Sequence, residues 1–222
     1  MNVSGGVENE DPIRFAASEL GANRHICGFF RNPEEEYQLL LPFIKEGFER
    51  GEKAFHIVDP TAHQAHLRQL RSAGIDVASV QEKGQLEMRD WNQFYFPDGR
   101  FDETRTVAQW TAVLDGAVQK GYRRTRVIAH LEWARDDADQ LLQYESNFNR
   151  IPRNRDPVIC VYDLSKHGAA FILDIMRTHP MIIIGGILQM NPFYVPPDQF
   201  LQELRGRRVT LEASPSVVNS RA

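Results

Sequence analysis

Arg24-His25-Ile26-Cys27-Gly28-Phe29-Phe30, the amphipathic run Glu34 to Arg50, and Gly51-Glu52-Lys53-Ala54-Phe55-His56-Ile57-Val58-Asp59-Pro60 together decide the fold. A short apolar run, a helix-length segment and a second apolar run form a βαβ pattern. The two strands are therefore parallel and joined by a crossover helix, an arrangement that carries ligands at the strands' carboxyl ends. Between them, Asn32-Pro33-Glu34-Glu35-Glu36 reads as a helix start, with a capping amide, a proline in the first turn and acids against the positive end of the dipole. Tyr37, Leu40, Leu41, Ile44 and Phe48 recur at helical spacing, and Gly51 closes the element.

Outward from this unit the pattern repeats. Thr61–Ala73 reads as a helix, Ile75–Val80 and Gln85–Arg89 as short strands, and Thr104–Lys120 as an amphipathic helix ended by Gly121. Arg126–Leu131 and Pro157–Tyr162 are continuous apolar runs that suit central strands buried on both faces. Between them Asp136–Phe148 reads as a helix with Glu145 along its length. A helix from Gly168 to Thr178, strands Met181–Ile184 and Ile187–Gln189, a proline-rich wrap from Asn191 to Pro197 and a capping helix Asp198–Leu204 complete the sequence of elements. The expected fold class is α/β, a three-layer arrangement with a mostly parallel central sheet and helices on both faces. Residues 1–20, small, polar and acidic, read as a flexible lead; 21–205 form one domain; 206–222 read as a flexible tail.

The chain has 222 residues, 42% of them hydrophobic, enough for a single α/β core. A net charge of −4 with scattered Lys and Arg gives no basic field for nucleic acid. Two cysteines, no signal peptide and no run of membrane-spanning length point to a reducing, cytoplasmic setting without membrane contact.

An open α/β sheet invites a nucleotide, but the connection after the first strand is Phe30-Arg31-Asn32-Pro33, with no Gly-x-x-x-x-Gly-Lys and no Gly-x-Gly-x-x-Gly. Backbone amides there cannot cradle a triphosphate, so ATP hydrolysis is not expected. No nucleophile elbow is present either, and no catalytic residue or cofactor is assigned. His63 and His66 stand three apart on what reads as a surface helix. His25, Cys27, Cys160 and His179 fall at or near strand ends and could form a tetrahedral zinc set, although no Cys-x-x-Cys pair supports it. Trp91, Phe94, Tyr95, Phe96 and Phe101 crowd around a Pro-Asp-Gly turn as an adhesive aromatic loop.

The blocks His25-Ile26-Cys27-Gly28-Phe29-Phe30, Gly51-Glu52-Lys53, Asp59-Pro60, Cys160-Val161-Tyr162-Asp163 and His179-Pro180…Gly185-Gly186…Asn191-Pro192-Phe193-Tyr194 resemble the MEDS domain, a sensory module of methanogens, methylotrophs and a dichloromethane-responsive repressor. The resemblance runs from about Arg24 to Leu204. It implies a RecA/KaiC-like core lacking the Walker A phosphate loop, and a sensor of small, hydrocarbon-derived compounds rather than an enzyme. Family members stand beside helix-turn-helix segments, histidine kinases and anti-sigma-factor kinases. No room for an output domain is read outside the matched region, so output is expected through a signalling partner in trans (a kinase, anti-sigma factor or transcription regulator) or through a homodimer.

The family's first-strand block falls on His25, Cys27, Phe29 and Phe30, and its late block on His179, Pro180, Asn191 and Tyr194. Topology adds a crevice at the strand carboxyl ends gathering Cys27, Phe29, Asp59, Glu132, Trp133 and Asp163. The expected small-molecule site is therefore His25, Cys27, Phe29, Phe30, Asp59, Glu132, Trp133, Asp163 and His179. Two other readings remain: a metal or redox sensor using Cys27 and Cys160, and an interaction module presenting the aromatic loop.

Overall fold

The computed structural model describes residues 12–21, 23–131, 133, 138–151 and 155–213, the last six by backbone alone. The described residues begin with a hairpin, β1 (Ile13–Phe15) and β2 (Ser18–Leu20), and then enter a seven-stranded sheet. That sheet contains β3 (His25–Phe30), β4 (Lys53–Val58), β5 (Leu86–Asp90), β6 (Thr125–His130), β7 (Val158–Asp163), β8 (Met181–Ile184) and β9 (Ile187–Met190). Their spatial order is β5-β4-β6-β7-β3-β8-β9. Every neighbouring pair is parallel except β8 with β9, which turn back on each other through Gly185 and Gly186, both at positive φ. Only residues without a Cβ adopt that pair of left-handed conformations cheaply.

The strand order explains the layers. From β3 the chain moves outward to β4 and then to the edge at β5; afterwards it returns through β6 and β7 and crosses β3 to reach β8. Right-handed crossovers then place the connecting helices on opposite faces for the two directions of travel. α1 (Pro33–Glu49), α2 (His63–Ser72) and α3 (Val77–Glu82) cover one face with the hairpin. α4 (Trp91–Tyr95), α5 (Glu103–Gln119), α6 (Ala138–Phe148), α7 (Ala169–Thr178) and α8 (Pro197–Ala213) cover the other. The expected three-layer α/β fold is thus the one observed. No helix among the described residues is long and apolar enough to cross a membrane.

The caps sit where the sequence puts them. Asn32 Oδ1 accepts from the Glu35 amide at 2.9 Å with Pro33 in the first turn, and Gly51 at φ +71 ends α1. The Gly51-Glu52-Lys53 block is structural. Glu52 is buried and bridges Arg124 and Arg126, while Arg126 also donates to the Phe43 carbonyl and lies over the Phe43 ring. Lys53 reaches Glu87 at 2.9 Å.

Several local expectations are corrected. Within the lead expected to be flexible, Ile13, Phe15 and Leu20 are buried, and Phe15 packs on Phe43 at 4.6 Å between ring centroids. Alternate apolar residues on two three-residue strands suffice once α1 and β9 are there to receive them. Residues 75–80 are not a strand: Asp76 Oδ1 caps Ser79 N, and α3 begins at Val77. α8 runs past Leu204 to Ala213. The aromatic segment is not an adhesive loop, because Phe94 and Tyr95 lie in α4 and are buried, with Phe94 packed edge-on against Trp110 at 5.0 Å.

Candidate functional site

Alternation along β3 sends its residues to opposite layers. His25, Cys27 and Phe29 face α6 and α7, whereas Ile26 and Phe30 face α1, with the Phe30 ring folded under Gly28 so closely that a Cβ there would lie 2.7 Å from it. In-register pairing of β3 with β7 sets Cys27 beside Cys160 and Phe29 beside Tyr162. Two more groups then close over the first half of this face. α6 presents Glu145 one turn from Leu141 and from Phe148, on its apolar side, and the residue after α7 presents His179.

The result is a sealed polar cluster. Exposure is 8% for His25, 1% for Glu145, 3% for Cys160 in an otherwise apolar layer, and 0% for His179. Glu145 Oε2 lies 3.1 Å from both His25 Nε2 and His179 Nε2. Cys160 Sγ lies 3.6 Å from that oxygen and 3.5 Å from His25 Nε2. The two imidazole rings are 4.1 Å apart between centroids. One donor atom from each of the four residues falls within 4.8 Å of the others. The surrounding interstice, walled by Tyr95, Trp110, Tyr144 and Phe148, is too tight for a water molecule.

The far sides of both imidazoles are held. Asn149 Nδ2 donates to three carbonyls, those of Glu145, Ser146 and Thr178, which fixes the amide so that its Oδ1 faces His25 Nδ1 at 3.0 Å. His179 Nδ1 lies 3.0 Å from the Ile175 carbonyl and 2.9 Å from Thr178 Oγ1, whose hydroxyl itself donates to Ile175 O. Each Nδ1 therefore carries a proton, and each Nε2 is turned on the carboxylate. Burial would by itself raise the Glu145 carboxyl, but the hydrogen bonds and positive charge that His179 and His25 offer when their rings carry the extra proton outweigh this and bring it down to about 2. Burial pushes the Cys160 and Cys27 thiols well up and lowers His179.

The predicted site residues divide between two ends of the sheet. His25 and His179 join the cluster at the amino ends of β3 and β7. Cys27 does not enter the set expected for zinc: its Sγ lies against the Met181 carbonyl at 3.9 Å, and Glu145 takes its place. Phe29 belongs to the same face farther along, and Phe30 to the other face. Asp59 and Trp133 follow the carboxyl ends of β4 and β6, and Asp163 ends β7 three residues beyond Cys160, about 10 Å at the rise of a strand. Asp59 accepts from Thr61, and Asp163 from Ser165, so both close turns. Trp133 packs with Tyr95, Phe96 and Phe101. Glu132 lies outside the described residues. His66 is buried rather than on a surface helix face, and bonds Tyr37 Oη and His56 while His63 pairs with Asp90. The two histidines of this helix thus have separate partners. Glu145 and Asn149 were missed, although a carboxylate four residues from Leu141 and three from Phe148 is a signal the sequence carries.

The model of the MEDS family, the methanogen/methylotroph, DcmR sensory domain, matches residues 24–180. The transcriptional repressor DcmR of Methylorubrum extorquens (strain DSM 6343 / CIP 106787 / DM4) is 24% identical over 178 residues, covering 78% of this chain and 64% of its own length. The chain thus spans less than two thirds of that relative.

Proposed function

From the premise that the chain belongs to the MEDS family of sensory domains, we propose that it binds a small organic molecule at the carboxyl ends of β3, β6 and β7 and signals through a partner protein in trans. A sensory and regulatory role agrees with the family and with a relative named as a transcriptional repressor. The observation that supports a ligand at this end is a pair of orphaned polar tips. Tyr162 Oη and Trp133 Nε1 are buried with no hydrogen-bond partner among the described residues. Around them stand Phe29, 5.8 Å from the Tyr162 ring, Phe171 at 6.3 Å and, on the Trp133 side, Tyr95 at 5.0 Å. A buried hydroxyl or indole N–H left without a partner costs about 1–3 kcal/mol, which a ligand with one polar atom on a short apolar body would recover. Such a wall, mostly aromatic with a few polar groups, suits a compact oxygenated or halogenated hydrocarbon.

No step of this reading needs bond making, and the chain acts as a binding protein rather than an enzyme. Both thiols are free and fully buried, with thiolate formation opposed by burial, so a redox reading finds no reactive sulfur here. Ligand-observed NMR against one- to three-carbon alcohols, aldehydes and halides tests the proposal. Saturation transfer to at least one class is expected, weakened about tenfold in Tyr162→Phe, which deletes a single hydrogen-bonding atom. Binding untouched by Tyr162→Phe and Trp133→Phe would move the site elsewhere. Absence of binding throughout the panel would remove the small-molecule reading.

A further inference from the structure

We propose that His25, Glu145, Cys160 and His179 form a binding site for one transition-metal cation of the zinc class. The site adjoins the proposed organic pocket on the same sheet face, with Tyr95 beside both and the Tyr162 ring 6.2 Å from that of His179, and goes beyond that reading.

Chemistry and geometry both point to a cation. The Nδ1 atoms of His25 and His179 are committed as donors, to Asn149 Oδ1 and to Ile175 O with Thr178 Oγ1. In the neutral rings both Nε2 atoms are then lone pairs aimed at a carboxylate oxygen 3.1 Å away, acceptor against acceptor. His179 Nε2 is buried without a hydrogen-bond partner, in a side chain with no exposure. One proton placed between the groups satisfies one imidazole and leaves the other opposed; a cation satisfies both, together with the sulfur. Among the described residues Glu145 contacts no Arg or Lys, so a carboxylate buried at 1% exposure lacks a fixed counter-charge.

The spacing fits a tetrahedron. Zinc bonds of about 2.0–2.1 Å to nitrogen or oxygen and about 2.3 Å to sulfur give edges of roughly 3.3–3.6 Å. Four of the six separations are 3.1, 3.1, 3.5 and 3.6 Å, and all six lie within 4.8 Å, so closure on a cation draws the widest pair inward. Two neutral imidazoles, a thiolate and a carboxylate also make a dication electrically neutral, the condition for holding it in an apolar layer. The thiolate favours zinc-like ions over magnesium or calcium, which take all-oxygen sets. Each imidazole already has the outer acceptor that orients metal-bound histidines. Four protein ligands without an open position describe a site that fixes α6 and α7 to β3 and β7, rather than one that activates water. Since Cys160 must lose its proton to bind, loading releases a proton and weakens as pH falls.

The test uses the full chain, stripped with a chelator and titrated with cobalt(II) chloride alone. One equivalent per chain is expected, with a sulfur-to-cobalt charge-transfer band in the near ultraviolet and tetrahedral ligand-field bands in the visible. Stoichiometric zinc should erase both. Cys160→Ser and His179→Ala should abolish the charge-transfer band and the stoichiometry respectively, Cys27→Ser should leave both intact, and the positioning variant Asn149→Ala should weaken affinity about 10–100-fold. A band that survives Cys160→Ser, or one that depends on Cys27 instead, overturns the assignment. So does binding below stoichiometry in the wild type. Should the ligand variants fail to fold, X-ray absorption of the wild-type chain loaded with zinc decides: one sulfur scatterer at about 2.3 Å is expected, and a shell without sulfur refutes the site.

Discussion

Lowering the pH from 7.5 to 5.0 should cost this protein stability through a histidine on the α1 face of the sheet. His56 is fully enclosed, and burial first, then the field of His130, lowers it from 6.5 to about 3. Its Nδ1 lies 2.9 Å from His66 Nε2, and His66 Nδ1 lies 2.8 Å from Tyr37 Oη. The other titratable groups around this chain are His63 on α2, Glu36 on α1 and His130 on β6, the last two 3.3 Å apart. The folded His56 stays neutral throughout this window while the unfolded one protonates near 6.5. The unfolded state thus binds more protons, stability rises with pH, and what is present above 6.5 is lost on acidification toward 3. At about 1.4 kcal/mol per pH unit below 6.5, the loss from His56 alone between pH 7.5 and 5.0 is about 2 kcal/mol. His66, held well below its usual value by burial, adds in the same direction. Carboxylates contribute little above pH 5, which keeps the window clean. The assay is urea unfolding at half-unit pH steps, comparing wild type with His56→Asn, which retains a polar group but cannot titrate. The wild-type curve should fall about 2 kcal/mol further than that of the variant. Parallel curves would refute a neutral, enclosed His56.

Three further outcomes follow from packing and charge. Glu52→Gln leaves Arg124 and Arg126, both at 2% side-chain exposure, short of a carboxylate, and should destabilise by about 3–5 kcal/mol in chemical denaturation. Gly47→Ala brings a Cβ to 2.7 Å from Arg126 Cδ; because Glu52, Glu46 and the Phe43 carbonyl hold that guanidinium, the side chain cannot step aside, and a loss of about 1–3 kcal/mol is expected in the same assay. Phe94→Ala should cost about 3–5 kcal/mol in thermal or urea unfolding, as befits a ring with no exposure. A cost below 1 kcal/mol would return the segment to the surface role read from its sequence.

Where packing and sequence period agree, the fold was legible. The strands His25–Phe30, Lys53–Val58 and Val158–Asp163 lie within a residue or two of their expected places because continuous apolar runs are required of strands buried on both faces. Legibility failed where tertiary context supplies the reason. The hairpin turns through Ala16 and Ala17, both at positive φ, so no glycine or asparagine announces it. Val77–Glu82 is too short for a helical period to stand out from an extended reading. The site was half legible: His25, Cys160 and His179 attract notice by residue type, whereas Glu145 reads as one more polar residue of a helix until its face is known. The expectation that ligands gather at carboxyl ends also concealed the amino-end cluster, since that rule concerns backbone openings and not buried side-chain donors.

Two buried charge clusters show how a structural network can be told from a site. Around Glu52, Arg124 and Arg126 meet Glu52 and Glu46, and Glu46 also takes Arg50, so each carboxylate of the network faces a guanidinium. The Gly51-Glu52-Lys53 block accordingly ties α1 to β4 and β6. Around Glu145 the balance does not close: one carboxylate, two imidazoles whose outer nitrogens are already spent, and a thiol whose sulfur faces the same oxygen. Acceptors exceed protons in a volume too tight for water to supply the difference. A fold that needed only rigidity at this place could have used leucine at 145 at less cost, because apolar replacements of buried charge are commonly neutral or stabilising. The deficit is one of positive charge at a single point, and its place between β3, β7, α6 and α7 means that whatever fills it joins both strands to both helices.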